Sequence, residues 1–267
     1  MERSIRMLVF LLGIGCMWIG MAWGESPVQP AEQGSRQTLT LADLPPVPKE
    51  LKSLVQQNEL TFLIGGERPS LADGVRSTGG QSRRFDAETR FRMSFRFDSS
   101  CSWETVKDPR TPDSVKQLAV RVKFKRVRLS VTHRIWFRDM PERDGFWESP
   151  LLLHELDHVR ISGDPRIANR FRQSVLQNSR IELTREESEP LIAMAYRKLN
   201  SRWFGRGPLV TYLNAGEARP FIKTAIQTEF DRTVELTHVR YQELDRITEH
   251  GQRQVPETGE LRDWLRR

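Results

Sequence analysis

The sequence predicts an α+β fold, with an antiparallel β-sheet in the N-terminal part and a helical part after it. Apolar and polar residues alternate through much of the region between about residues 55 and 140, which is typical of half-buried strands. Beyond Trp147 the apolar residues recur with the 3.6-residue period of helices. Hydrophobic residues make up 37% of the 267-residue chain, which is enough for a folded core. Only one segment is apolar enough to cross a bilayer, so a multi-span membrane protein is excluded.

The N-terminal segment is typical of a secretory signal peptide. Basic residues precede an apolar run from Met7 to Trp23, and small residues stand before Glu25. We therefore expect residues 1–24 to be cleaved and the protein to be secreted or periplasmic, with no stable membrane span after cleavage. The alternative is an uncleaved anchor. Cleavage would leave Cys101 as the single cysteine, so no internal disulfide is expected.

The remaining chain is predicted to be a flexible linker followed by a single domain. Residues 25–50 are rich in Pro, Gln, Ser and Gly, which is typical of a linker. Residues 51–267 are expected to form the domain, with a β-rich part over 55–140 and a helical part over 148–267. No internal repeat is visible in the sequence.

Three strand regions are predicted within the β-rich part. The first is a short apolar run at 59–64, which two glycines end. In the second, over 90–97, apolar residues alternate with arginines. The third runs from about Val120 to Phe137, and its apolar parity changes near Lys125 and Arg126, which predicts a bulge or tight turn there. His133 falls on the apolar face, where a lone histidine is usually a hydrogen-bonded core residue.

Four helices are predicted, at about residues 150–162, 165–178, 186–200 and 218–249. Ser149 is suited to cap the first helix, and Pro150 to occupy its first position. Gly251 is the expected C-terminal glycine of the last helix.

The first of these helices carries the most informative motif of the chain. His154 and His158 are four residues apart, so both rings project from one helix face, and Glu155 follows the first histidine. This HExxH arrangement supplies two nitrogen ligands to one Zn²⁺ ion and a general base for a metal-bound water. The helix is apolar on two sides, as a buried active-site helix would be. The alternative is a buried histidine pair that only hydrogen-bonds to carboxylates.

A third protein ligand is needed, and the motif leaves its identity open. Asp164 lies six residues after His158, although Asp164 and Pro165 also fit the start of the next helix. Acidic residues on the third predicted helix are a further option: Glu186, Glu187 and Glu189. They fit equally well as solvated charges at a helix start.

The long final helix offers the remaining ligand candidates. Its apolar stripe has polar residues on or beside it, namely His238, Asp245 and Thr248. Polar groups on an inward face need partners, so they belong either to a core network or to a site. His250 is expected at the bend that ends the helix, where it can turn inward or act as a cation at the negative helix end.

Taken with the HExxH run, the end of the chain resembles a bacterial family of predicted secreted zinc-dependent proteases (domain of unknown function 922). A strand region and Trp147 precede HExxH, and a closing Asp-x-x-Thr-x-His-Gly pattern follows, formed by Asp245, Thr248, His250 and Gly251. The resemblance covers about residues 55–265 and implies a zincin-like fold. It implies zinc ligands at His154, His158 and, ranked first as third ligand, His250. Glu155 would be the base, and Asp245 and Thr248 would orient the third ligand.

The expected function is that of an exported zinc metallopeptidase acting on protein or peptide substrates. The net charge is +7, but no block of Lys and Arg is long enough to resemble a nucleic-acid tail, so no nucleic-acid partner is expected. Two alternatives remain. One is a zinc-containing, non-proteolytic module that binds an anionic cell-envelope polymer through the arginines of Arg90–Arg96. The other is a zinc amidase that acts on peptidoglycan.

Overall fold

The computed structural model describes residues 5–6, 37–66, 86–108, 111–201 and 207–265. Its strands are β1 (Ile5–Arg6), β2 (Gln37–Leu39), β3 (Glu59–Ile64), β4 (Ala87–Asp108), β5 (Thr111–Phe137) and β6 (Arg180–Glu182). Its α-helices are α1 (Lys49–Gln57), α2 (Pro150–Ser162), α3 (Pro165–Gln177), α4 (Arg185–Asn200), α5 (Ala215–Thr248) and α6 (Glu260–Leu265). The predicted α+β class is confirmed. Nearly all of the predicted signal peptide lies outside the described residues.

The four predicted helices correspond to α2, α3, α4 and α5, and their bounds agree with the prediction to within three residues. Helices α1 and α6 were not predicted. None of the helices in the described part of the chain combines the length and apolarity that a membrane span requires.

Contacts divide the predicted single domain into two compact units. The HExxH unit comprises Val9–Arg92, Val131–Asp164 and Val239–Arg267, and the second unit comprises Met1–Leu8, Met93–Ser130 and Pro165–His238. Strands β4 and β5 and helix α5 each contribute residues to both units. The periodicity of a long element does not reveal where its contacts change from one core to another, so this division could not be predicted from the pattern.

The sheet of the HExxH unit has the strand order β4-β5-β3-β2. Strand β3 pairs with β5 in parallel, with Phe62 opposite Ile135, whereas β2 pairs with β3 antiparallel. The sheet is therefore mixed, and the prediction of an antiparallel sheet was wrong for this pair. Alternation along a strand shows which side chains share a face, but it does not show which strands become neighbours.

Part of the predicted linker is folded into the HExxH unit. Residues 37–50 form β2, a short 3₁₀ turn and the start of α1. Leu39 and Leu44 are buried in the core of this unit, and the Trp147 indole donates a hydrogen bond to the carbonyl of Pro45 at 2.9 Å. The composition of this segment is polar on average, but the burial of its few leucines is enough to pack it against the sheet.

The core of the HExxH unit supports one side of α2. Phe62 and Phe146 are fully buried and meet edge to face, with ring centroids 6.0 Å apart. Leu152, Leu156 and Val159 of α2 pack into the same cluster. These three residues form the apolar side of α2, which leaves the histidine side for other contacts.

The second unit has its own core between strands and helices. Its sheet has the order β1-β4-β5-β6, and Val120 of β5 lies opposite Ile181 of β6. Buried residues of β5, α3 and α5 pack together in this core, among them Leu118, Phe171 and Ile226. Two successive exposed residues on β5, Lys125 and Arg126, lie where the change of parity was predicted.

Candidate metal centre

Helix α2 places the two histidines and the glutamate of the motif side by side in a buried position. Its first residue is Pro150, and the amide of Leu153 donates to the carbonyl of Ser149 at 2.9 Å. The exposed fractions of His154, Glu155 and His158 are 7%, 4% and 4%. The imidazole rings lie 4.8 Å apart and nearly perpendicular, at 79°.

Asp245, near the end of α5, faces both histidines. Its Oδ1 lies 3.2 Å from Nε2 of His154 and 3.0 Å from Nε2 of His158. One ligand atom from each of the three residues can be chosen so that all lie within 4.8 Å of one another. In a tetrahedral zinc site with bonds of about 2.0–2.1 Å, ligand atoms lie roughly 3.3 Å apart. This buried group can therefore hold a metal ion.

The far side of the His154 ring is held by Thr248. The Thr248 hydroxyl donates to the carbonyl of Leu244 at 2.8 Å, and its oxygen lies 3.4 Å from Nδ1 of His154. Because the threonine hydrogen is used for Leu244, this contact needs a hydrogen on Nδ1 of His154. With Nδ1 held as the donor, Nε2, which faces Asp245, is the ring nitrogen available to a metal ion.

Gly251 completes the support of His154. The glycine has φ of +83°, and its amide lies 3.3 Å from the Thr248 hydroxyl oxygen, to which it donates. A Cβ at this position would lie 2.9 Å from Cγ of His154, closer than real Cβ contacts allow. Glycine is therefore needed here for its backbone conformation and for its lack of a side chain.

His158 rests on a second set of buried polar groups. The Tyr241 ring lies against it, with centroids 4.4 Å apart, and the Tyr241 hydroxyl contacts the Ser162 hydroxyl at 2.8 Å. Ser162 donates to the carbonyl of His158 at 3.1 Å, and Nε2 of His133 lies 2.7 Å from the same hydroxyl. His133, which is 1% exposed, is thus the hydrogen-bonded core residue that was predicted.

Glu155 is buried beside the histidines. Its Oε2 has no hydrogen-bond partner within the described part of the chain, although burying an unpaired carboxylate oxygen is costly. Burial raises the pKa of this carboxyl, while the nearby His158 and His154 act against that rise. The hydroxyl of Thr89, on β4, donates to the Glu155 backbone carbonyl at 3.1 Å and ties this turn of α2 to the sheet. The unpartnered oxygen is the atom expected of a base that awaits a water or substrate proton.

The electrostatics of the centre favour a positive charge between its three members. Burial alone would raise the pKa of Asp245, but hydrogen bonds with His154 and His158 outweigh it and hold that pKa well below its usual range. Burial alone would lower the pKa of His158, but the Asp245 hydrogen bond and the Glu155 charge outweigh it and raise that pKa. A carboxylate that faces two imidazole nitrogens favours a cation between them, which is either a proton carried by a histidine or a divalent metal ion.

The other predicted ligands have different surroundings. The Nδ1 atom of His250, ranked first from the sequence as third ligand, lies 3.5 Å from Asp245 Oδ1, and the side chain is 38% exposed. In the described residues, the group that could hold a metal ion consists of His154, His158 and Asp245, and neither His250 nor the buried Asp164 belongs to it. Asp245, expected to orient a ligand, is thus the residue in direct contact with both histidines.

Two of the three candidate glutamates of α4, Glu187 and Glu189, have structural partners in the second unit. Glu187 and Thr184 form a capping box, in which the Thr184 amide donates to the carboxylate at 2.8 Å. Glu189 pairs with Arg185 at 2.8 Å. These contacts correspond to the alternative interpretation, charges at a helix start.

No family model matches the sequence, and no curated protein or solved structure matches it either.

Proposed function

We propose that the protein is a zinc-dependent metallopeptidase whose centre consists of His154, His158 and Asp245, with Glu155 as the general base. The observation that carries this proposal is the convergence of three metal-ligating atoms, from the buried His154 and His158 and the half-buried Asp245, next to a buried carboxylate oxygen of Glu155 that has no partner among the described residues. A structural metal site does not need a general base such as Glu155, whereas a hydrolytic site does.

The donor set favours zinc over harder cations. Two imidazole nitrogens and one carboxylate oxygen suit Zn²⁺, whereas Mg²⁺ and Ca²⁺ prefer oxygen ligands alone. Two histidines and a carboxylate also suit Fe²⁺. The Glu155 base next to His154 favours a hydrolytic reaction. Because zinc supports hydrolysis, this feature favours Zn²⁺ over Fe²⁺.

The roles of the residues follow from their positions. Bound zinc would supply a Lewis acid that polarises the scissile carbonyl and makes water a nucleophile near neutral pH. Glu155 Oε2 accepts a proton from the attacking water and returns it to the leaving amide nitrogen as the C–N bond breaks. The burial that raises the Glu155 pKa makes the carboxylate a stronger base. Thr248 and Gly251 keep the His154 ring in one tautomer and orientation.

The proposal is tested by separating metal binding from turnover. Glu155→Gln should retain about one zinc per chain and lose ~100-fold or more in peptide hydrolysis, whereas His158→Ala should lose the metal as well. Metal content is measured by elemental analysis and turnover with an unstructured protein substrate. A Glu155→Gln variant that hydrolyses peptides at the wild-type rate would exclude the mechanism.

The bond that is cleaved decides between the peptidase and the amidase alternative. A panel of unstructured proteins and muropeptides, offered to the same zinc-loaded enzyme, separates the two. Cleavage of muropeptides alone, lost in Glu155→Gln, would replace the peptidase proposal by that of a peptidoglycan amidase with the same centre.

A further inference from the structure

The positive charge of the chain is concentrated on one face of the sheet in the second unit. Between Gln117 and Phe137 the sequence has six Lys and Arg residues and no Asp or Glu, while the whole chain has a net charge of +7. Five of the six fall in the eight residues of Arg121–Arg128 and all five are exposed: Arg121, Lys123, Lys125, Arg126 and Arg128. Together with the exposed Arg96 of β4, they are called the basic face below.

Only part of the basic face is neutralised by acidic residues. Arg121 pairs with Glu104, and Arg126 pairs with Asp98. For Arg96, Lys123 and Arg128 the described residues provide no ion-pair partner. By contrast, helix α4 of the same unit carries three acidic and three basic side chains, and Arg185 and Glu189 of this helix form an ion pair. The excess of cations is therefore a local property of the strands.

The folding of the second unit does not call for such a face. The apolar side chains Phe124, Val127 and Leu129 pack against its core, so the cations contribute nothing to that packing. Like charges on neighbouring strand positions repel one another and destabilise a sheet. A face that was merely solvated would be more stable with both signs of charge interspersed.

We propose that the basic face binds an extended, phosphate-bearing polyanion. Alternate residues of a strand project to one side about every 6.6–6.8 Å, so the cations form a row that suits a linear polymer better than a single small anion. Arginine engages phosphate oxygens through its planar fork, and lysine adds a point charge. The row continues across the change of parity, because Lys125 and Arg126 are both exposed.

The composition of the face narrows the occupant further. The exposed large apolar side chains of the described residues are Met140, Leu153, Leu176, Tyr196 and Val239, and none lies on β4 or β5. The basic face, as far as the structure describes it, therefore has no exposed aromatic ring on which bases would stack and no apolar anchor for a bilayer. Recognition through the backbone charge of a polymer is the mode that remains.

The test compares two charge reversals of equal size in the full chain. Lys123→Glu with Arg128→Glu alters the basic face, and Arg219→Glu with Lys223→Glu alters exposed cations on α5 of the same unit. The probe is fluorescently labelled long-chain inorganic polyphosphate, titrated by anisotropy at several salt concentrations. Vesicles containing anionic phospholipid are titrated in parallel.

The basic-face variant should bind polyphosphate at least ~10-fold more weakly, and the slope of log Kobs against log salt should be shallower by roughly 2. The α5 variant should stay within about 2-fold of wild type. Equal weakening in both variants would show a nonspecific effect of net charge and overturn the proposal. The proposal would also be overturned if wild-type protein did not bind polyphosphate. The same holds if the protein bound only the vesicles, in a way that depends on Lys123 and Arg128. Zinc content should be unchanged in both variants, which keeps this result separate from the metallopeptidase proposal.

Discussion

Gly251 lies against the ring of His154, at a distance that leaves no room for a side chain on the glycine. A Cβ added to the glycine would lie 2.9 Å from Cγ and 3.0 Å from Cβ of the histidine. The residues are far apart in sequence within the HExxH unit, one on α2 and the other after α5. The turn at the end of α5 therefore fixes the orientation of a proposed metal ligand, and the first prediction follows from it.

Gly251→Ala should weaken zinc binding by about 10–100-fold, because the new methyl group has to push the His154 ring out of position. The positive φ strains the backbone of the folded state and lowers the free energy of unfolding by roughly 1–2 kcal/mol. Zinc affinity is measured by competition with a chromophoric chelator, and stability by urea unfolding of the metal-free protein.

Gly259→Ala is the matched control for this variant. Gly259 also has a positive φ, +110°, but an added Cβ meets nothing within 4 Å. It should therefore show the backbone cost without the loss of zinc affinity. Equal zinc affinities for the two variants would show that Gly251 does not position His154.

The third ligand is decided by comparing Asp245→Ala with His250→Ala. We expect Asp245→Ala to lose at least ~100-fold in zinc affinity, because Asp245 contacts both histidines and completes the buried group. His250→Ala should stay within ~10-fold, as expected for a side chain beside the centre. The reverse order of affinities would make His250 the ligand and Asp245 its orienting partner, as the family resemblance implied.

Thr248→Val tests the hydrogen bond behind His154. Valine keeps the shape of threonine but removes the oxygen that contacts Nδ1, so the preferred tautomer and ring orientation lose their support. We expect zinc affinity to fall about 10-fold. Thr233→Val is the matched control, since Thr233 makes the same kind of bond to a carbonyl four residues earlier on α5 but does not contact the metal-binding group. Equal affinities in the two variants would contradict the role given to Thr248.

The local patterns of the chain were sufficient to predict four of the six α-helices in the described residues and, as ligands, two of the three residues of the candidate metal-binding group. The 3.6-residue period predicted α2 to α5, and the spacing of His154 and His158 placed both rings on one face of α2. The pattern at the end of α5 brought attention to Asp245, Thr248 and Gly251, and all three lie at or against the histidines.

Local patterns could not show that Asp245, and not His250, would be the residue in direct contact with both histidines. Glu249 and His250 both have positive φ, at 51° and 57°, although neither is glycine. This left-handed turn places His250 at the rim of the centre while Asp245, one turn earlier on the helix, meets the histidines directly. Backbone conformations of this kind in non-glycine residues depend on tertiary contacts, and local sequence preference argues against them.

His133 provides a prediction about stability that does not involve the metal. Burial lowers the pKa of this imidazole from 6.5 to about 4, because the charged form is poorly solvated there. The unfolded chain therefore binds a proton between pH 6.5 and 4 that the folded chain does not bind. Stability rises with pH through this window and is lost as the pH falls. The shift corresponds to about 3 kcal/mol between the two limits.

The measurement is urea unfolding of the metal-free protein at several pH values between about 7 and 4, with His133→Gln as the comparison. Glutamine keeps a polar group near Ser162 but does not titrate, so the variant should be less stable at about pH 7 and should lose less stability on acidification. The difference between the two free energies of unfolding should shrink by about 3 kcal/mol over this range. Parallel pH profiles for the two proteins would show that His133 accepts its proton in the folded state and that its pKa is not depressed by burial.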